Sequence, residues 1–261
     1  MTATWTDLRE HDLTPDSLAA LLANRIPAIR IRNFATPEEC SSFAAAAKAG
    51  NMKYYSVAKR IGYIGMAQYE YRWNRPMSDF FDAVPAALAD LRWVLERSFD
   101  PVDRLVHILH NVYPAAIGPA REPAFGEYFA GIIRSASEGV DLHADFAPFN
   151  SPAYSIARID SQLGWNFFAE ELKSGGETTV YNAPWTPPMT PGEIPKSYGL
   201  DRAIVAGAPS FTYKPTAGDV VLFNSRNPHE IVGGVPFPGR DRISIGSFIG
   251  RMPDRSLVMW S

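Results

Sequence analysis

One cysteine in 261 residues has no partner for an internal disulfide. That excludes a disulfide-stapled scaffold and gives no reason to place the chain in an oxidising compartment. Cys40 itself lies in the helical-looking stretch Pro37-Glu38-Glu39-Cys40-Ser41-Ser42-Phe43 and reads as a buried structural thiol. No apolar run approaches the ~18 residues of a membrane span, and no basic-then-apolar leader opens the chain. The expectation is a soluble, cytoplasmic protein. An excess of one charge is missing too: 25 basic against 28 acidic residues leave a net charge of -3. Nothing global therefore draws the chain to nucleic acid or an anionic membrane, and the expected partner is a small molecule. Repeats and low-complexity tracts are not visible, and no heptad or exposed apolar helix stands out, so the oligomeric state is left open. Histidine is scarce enough, five in all, that each can be weighed singly.

A chain of this length buries roughly 70 to 75% of its unfolded surface, which suits a single domain over 1–261. Residues 1–124 read as a helical N-terminal part with edge strands. Thr14 before Pro15 sets an N-cap and N1 for a short helix through Leu22. Ile26-Pro27-Ala28-Ile29-Arg30-Ile31-Arg32 alternates apolar and basic residues, as a strand does. Thr36, Pro37 and Glu39 form the pattern of a capping box before a second helix. Tyr54 to Trp73 reads as one or two irregular strands. Between Met77 and Val112 apolar residues recur every three or four positions, predicting two helices broken near Asp100-Pro101.

From about Phe125 the pattern changes to short strands separated by turn residues, a mainly β region of the antiparallel sandwich or barrel kind. The candidates are Glu127 to Ile133, Asp141 to Asp145, Ser155 to Ala169, Glu177 to Tyr181, Ser210 to Lys214, Asp219 to Phe223, His229 to Val232 and Arg242 to Ile249. Residues 183–209 hold six prolines and little β pattern. A connection that long reads as a functional lid over the 125–261 core.

The chemistry concentrates at Val140-Asp141-Leu142-His143-Ala144-Asp145-Phe146. A His and an Asp one residue apart on an extended segment point to the same side and can bind one metal together. His229, about 85 residues on at the end of an apolar strand, completes a 2-His-1-carboxylate set, the geometry diagnostic of non-haem Fe(II) oxygenases because it leaves positions open. Arg242 and Ser244 then share one strand face and can hold a carboxylate. His-x-Asp alone is weak. The ordered set is stronger: His143-x-Asp145, the turn Gly175-Gly176-Glu177-Thr178, Asn227-Pro228-His229, and Arg242-x-Ser244.

These motifs, over roughly Glu127 to Arg251, resemble the Fe(II)/2-oxoglutarate-dependent oxygenases. The resemblance implies a double-stranded β-helix, the cupin-like jelly roll, with flanking helices. Within that superfamily, Gln162-Leu163-Gly164-Trp165-Asn166-Phe167-Phe168 and Gly175 to Trp185 look most like the group of free-standing alkaloid halogenases and N-acyl amino-acid hydroxylases. By that resemblance His143, Asp145 and His229 are the iron ligands, and 2-oxoglutarate chelates the metal while Arg242 grips its distal carboxylate with help from Ser244. Bidentate guanidinium geometry suits that task better than the point charge of lysine. Members commonly place the arginine about ten residues after the second His; here Arg240 is at plus eleven and Arg242 at plus thirteen. Arg242 is preferred because it leads an apolar strand, with Arg240 as the fallback.

In the halogenating relatives the carboxylate position is Gly or Ala, which leaves room for halide. Asp145 keeps the carboxylate here. The implied reaction is therefore hydroxylation of an unactivated aliphatic C–H in an amino-acid derivative or specialised metabolite, with O2 consumed and 2-oxoglutarate decarboxylated to succinate and CO2. The alternatives are a halogenase of the same fold, a cupin-like metal-dependent isomerase or binding protein with no use for Arg242 and Ser244, and a non-enzymatic β-sandwich module. Candidate substrate contacts are Arg134, Phe146, Phe149, Trp165, Tyr181 and Trp185, each weighed against an ordinary core or strand role. Arg158, Asp160 and Gln162 read as alternating on one strand face, as a network or as support for the metal. His107 and His110 sit at helical spacing without a matching carboxylate and read as structural or surface residues. His11 reads as uninvolved.

Overall fold

In the computed structural model, the described residues are 5–55, 61–72, 75–186 and 199–261. Two mainly antiparallel sheets pack face to face. The larger runs in the order Glu10–His11, Ala28–Ile31, Val220–Asn224, Ser161–Phe168, Ile243–Arg251, Ile132–Ser135, Gly62–Ile64, Lys53–Tyr54. The smaller runs Ser210–Tyr213, Thr178–Tyr181, His229–Val232, Gly139–His143. This is the double-stranded β-helix that the motifs imply. The pairing is largely non-local, with the first helix-bearing segment supplying strand Ala28–Ile31 to the same sheet as the C-terminal strands.

Alternation along the central strands makes two separate apolar regions. Leu163, Trp165, Phe167, Ile245 and Ile249 point outward and pack with Phe43, Phe80, Leu91 and Leu105 from the helices. Each such fully buried aromatic or aliphatic side chain stabilises the fold by about 1.5–3 kcal/mol relative to exposure. Residues one step along face inward, where Phe168, Val180, Tyr213, Val221 and Phe223 form a smaller cluster between the sheets. Polar residues occupy the rest of that inner face.

The helices Pro15–Leu22, Pro37–Ala49 and Pro101–His110 each start with a proline behind a capping side chain, Thr14, Thr36 and Asp100. The fourth spans Met77–Leu95. Glu39 closes the predicted box with Thr36 and also receives Arg104 at 2.6 and 2.8 Å, stapling two helices together. Strand Leu257–Trp260 was not expected from the sequence, since four residues at a terminus carry little pattern; it pairs with Ile243–Arg251. The expected strand Ser155 to Ala169 is shorter, because Ser155–Arg158 forms a 3-10 turn. Arg158, Asp160 and Gln162 therefore do not line one face. Asp160 accepts from Arg251 at 2.8 Å, while buried Gln162 accepts the backbone N–H of Ala147 at 2.7 Å.

Of the segment expected as a lid, residues 187–198 lie outside the described residues. Its described ends are anchored: Trp185 N–H donates to the Arg226 carbonyl at 2.9 Å and Leu200 N–H to the Leu142 carbonyl at 2.7 Å. No helix among the described residues is long and apolar enough to cross a membrane.

Candidate metal centre

His143 and His229 are direct cross-strand partners in the smaller sheet, so both imidazoles project from one face. Their strands converge because Gly139 has a left-handed backbone, φ +87°, and a Cβ there would lie 2.4 Å from the Ile231 carbonyl oxygen. On the other flank Gly175, φ +78°, lets the Gly175-Gly176 turn pass against Gly233 in the same way. Asp145 lies two residues beyond His143. Its N–H donates to the Ser225 carbonyl at 2.9 Å, and the Ser225 hydroxyl donates back to the Asp145 carbonyl at 3.1 Å.

The three side chains meet. Asp145 Oδ2 is 3.7 Å from His143 Nε2 and 3.8 Å from His229 Nε2, and the three ligand atoms lie within 4.8 Å of one another. Those separations exceed a hydrogen bond but suit ligands around one ion with bonds of about 2 Å. Each imidazole is oriented from behind: His143 Nδ1 donates to the Asp141 carbonyl at 2.6 Å and His229 Nδ1 to the Asn227 carbonyl at 2.9 Å. A proton on each Nδ1 leaves each Nε2 with a lone pair turned toward Asp145, the arrangement a metal requires. Burial, with the neighbouring His143 adding to it, holds the His229 pKa well below its usual range, against the smaller effect of the Asn227 bond. The phenyl ring of Phe223 stands 4.8 Å from the His229 ring and closes one side.

Sequence reasoning missed the support behind Asn227. Asn227 Nδ2 donates to Asn24 Oδ1 at 2.7 Å, Trp5 Nε1 donates to the same oxygen at 3.2 Å, and Asn24 Nδ2 donates to Asn182 at 3.2 Å. Asn24 reaches all three from a left-handed turn, φ 54°. Its separation of 203 residues from Asn227 left no local signal.

Arg242 is 4% exposed, with its guanidinium 5.1 Å from the Phe168 ring and its Nε buried without a hydrogen-bond partner. Burial pushes its pKa down; Tyr213 and Asp241 oppose this and Arg134 adds to it. The Thr178 hydroxyl is also buried without a partner, and Thr178 is the cross-strand partner of Tyr213. An unpaired buried polar atom costs about 1–3 kcal/mol. A carboxylate at this position would relieve that cost at Arg242, so the residue fits the distal end of a dicarboxylate. Ser244 is buried on the same face. Arg240, the fallback, is exposed against Phe237, whereas Arg242 is buried between the sheets.

Of the expected substrate contacts, Phe146, Phe149 and Trp185 gather around Arg226. Its guanidinium lies 4.7 Å from the Phe146 ring and 5.5 Å from Phe149, and its Nε donates to the Trp185 carbonyl at 3.0 Å. Arg226 itself was not anticipated, although its place between a buried strand and His229 was a usable cue. Arg134, half-buried, is the cross-strand partner of Ser244. Two expectations are corrected. Trp165 points to the helical side and donates Nε1 to Ser247 at 2.7 Å, because it sits one step out of phase with the inward Asn166 and Phe168. Tyr181 likewise alternates with inward Val180; its hydroxyl donates to Glu230 at 2.6 Å on the outer face, beside Arg202.

The remaining histidines stand apart. His11 bonds Asp7 at 3.0 Å. Contrary to the sequence reading, His107 does have a carboxylate at helical spacing, Asp103 at 3.4 Å, but both side chains are largely exposed. Among the described residues, His143, Asp145 and His229 are the group arranged to hold a metal.

Two imidazoles and one carboxylate on a double-stranded β-helix, with a buried arginine on the opposing sheet, define an Fe(II)/2-oxoglutarate-dependent oxygenase, a class that uses both together with O2. The sequence profile of the family described as "Carrier-protein-independent halogenase WelO5" matches residues 3–261, and the chain belongs to that family. It is 31% identical over 212 residues to "Leucinostatins biosynthesis cluster protein S" of Purpureocillium lilacinum, covering 77% of this chain and 86% of that one. It is 33% identical over 169 residues to "L-gamma-glutamyl-L-propargylglycine hydroxylase" of Streptantibioticus cattleyicolor, covering 62% of this chain and 59% of that protein. The fold is shared with an N-substituted L-amino acid dioxygenase from Burkholderia ambifaria AMMD, solved with alpha-KG, at a TM-score of 0.63 and 14% identity over 94% of this chain and 90% of that one.

Proposed function

We propose that the protein hydroxylates an unactivated aliphatic C–H of a small molecule, an amino-acid derivative or specialised metabolite, with 2-oxoglutarate converted to succinate and CO2. In this reading His143, Asp145 and His229 hold Fe(II), while Arg242, with Ser244 and Thr178 beside it, binds the distal carboxylate of 2-oxoglutarate. The bound metal and co-substrate supply the oxidising chemistry. The chain's own residues do the rest: the Asp141 and Asn227 carbonyls hold the imidazoles in the ligating tautomer, Phe168 and Phe223 exclude water, and Arg242 orients the co-substrate.

The observation that carries hydroxylation over halogenation is Asp145, which sits within 3.8 Å of both imidazole nitrogens and supplies the third ligand. The family's description favours halogenation, but that chemistry needs a coordination position for halide that Asp145 would occupy.

The test is an anaerobic titration with Fe(II) and then 2-oxoglutarate, following the visible charge-transfer band of the chelate in the parent and in Arg242→Ala. The parent should show the band, and the variant should need about 100-fold more 2-oxoglutarate. Iron binding without a band would return the assignment to a metal-dependent isomerase or binding protein. Product formed in excess chloride should carry added oxygen; added chlorine from the parent enzyme would overturn the hydroxylase reading.

A further inference from the structure

Three consecutive residues just before His229 each grip a different part of the metal centre's surroundings. Ser225 exchanges two hydrogen bonds with the backbone of Asp145, its carbonyl accepting at 2.9 Å and its hydroxyl donating at 3.1 Å. The Asn227 carbonyl accepts from His229 Nδ1 at 2.9 Å. Arg226, between them, turns to Trp185: its carbonyl accepts the Trp185 N–H at 2.9 Å and its Nε donates to the Trp185 carbonyl at 3.0 Å. Both backbone groups of Trp185 are committed to one residue. Arg226 Nη2 also donates to the Thr186 hydroxyl at 3.3 Å.

The three grips cannot move independently. The Asn227 N–H donates to the Asn224 carbonyl at 3.1 Å and closes a four-residue turn, while the Asn224 side chain accepts the Arg226 N–H at 3.2 Å. Asn224, Ser225 and Asn227 are buried. A rotation of the peptide groups at Arg226 therefore swings the carbonyls on either side of it, one bonded to Asp145 and the other to His229.

Side chains add a second link. The Arg226 guanidinium rests against Phe146, the residue directly after Asp145, and against Phe149, which meets the Trp185 ring edge-on at 5.9 Å. From the other direction Asn24 bonds both Asn227 and Asn182, three residues before Trp185. The stretch from Asn182 to Thr186 is thus tied at both ends to the turn that orients the ligands.

We propose that Arg226 is a positioning residue that couples the Trp185 stretch to the metal centre, so that metal binding and the seating of Trp185 favour each other. This rests on the reading of His143, Asp145 and His229 as metal ligands and goes beyond it: whatever displaces Trp185 also alters how the ion is held. Such coupling is reciprocal. The factor by which a seated Trp185 raises metal affinity is the factor by which the metal favours seating.

The experiment uses Co(II) alone as the probe, on the full chain without oxygen. Affinity and ligand-field spectrum come from a visible titration, and exchange of the Trp185 amide is followed by mass spectrometry with and without the metal. In the parent, Co(II) should slow exchange of that amide about 5-fold or more. Arg226→Ala should bind Co(II) about 10-fold more weakly, with a changed spectrum, and should lose the metal-dependent protection. Arg226→Lys, which keeps a donor for the Trp185 carbonyl, should recover part of all three. Equal exchange with and without Co(II) in the parent overturns the proposal. So does an Arg226→Ala protein whose Trp185 amide is loosened while its Co(II) affinity and spectrum match the parent, because the arginine then only staples the loop. If a urea transition shows that Arg226→Ala does not fold, the comparison within the parent decides by itself. A parent that binds no Co(II) overturns the metal reading, and this one with it.

Discussion

At the metal end of the barrel interior, each imidazole Nδ1 has its carbonyl, at 2.6 and 2.9 Å, and the Asn227 side chain behind one of them is itself held by Asn24. At the anchor end, Arg242 Nε and the Thr178 hydroxyl are buried with no partner. The first region is finished by the protein's own hydrogen bonds and is preorganised for its ion. The second carries a standing cost that a ligand carboxylate removes. Stability and ligand binding should therefore be coupled with opposite sign at the two ends.

The strongest way to break that contrast is at a ligand. His229→Ala should weaken Fe(II) binding by at least about 100-fold, as seen in a metal titration, because two remaining ligands cannot hold the ion in the face of water. Arg242→Met should behave in the reverse manner: 2-oxoglutarate affinity falls about 100-fold, while unfolding in denaturant without ligand shows a gain of about 1–3 kcal/mol as the buried Nε without a partner is removed. A clear loss of unliganded stability in Arg242→Met would abolish the distinction between the two ends.

A subtler probe is Asn24→Ala. It removes the bond to Asn227 without touching a ligand, and metal affinity should drop about 10-fold with 2-oxoglutarate affinity of the iron-loaded protein nearly unchanged. The smallest effect is expected outside both ends. Arg104, with the Thr36 N–H, holds the Glu39 carboxyl down at about 2 from a usual 4.5. A depressed carboxyl stabilises the fold above its unfolded value, and the contribution is lost as pH falls from about 4.5 through 2. Glu39→Gln should cost about 1 kcal/mol at neutral pH, the difference from the parent should shrink across that window, and neither ligand's affinity should move.

Much of the fold was legible where local rules dominate. Thr14, Thr36 and Asp100 cap helices that begin with proline, because capping needs only neighbours. His229 to Val232 was read as a strand with the bounds it has. Reading failed where the phase of a strand decided the outcome. Trp165 and Tyr181 were set among the site candidates, yet period-two alternation sends both to the far faces of their sheets, and the one-residue offset is fixed by pairing partners distant in the chain. Arg226 and Asn24 went unnoticed for the same reason: each works through contacts across long separations.

The sequence by itself determined the chemistry on offer: His143 and Asp145 two apart on a strand, a second histidine after a buried strand, and an arginine leading the next. Those follow from side-chain type and alternation, which act over a few residues. Only the tertiary structure decided which arginine enters the barrel, which aromatics face it, and that Arg134 stands beside Ser244. Such facts depend on register between strands more than a hundred residues apart, and register is set by the packing of both sheets at once.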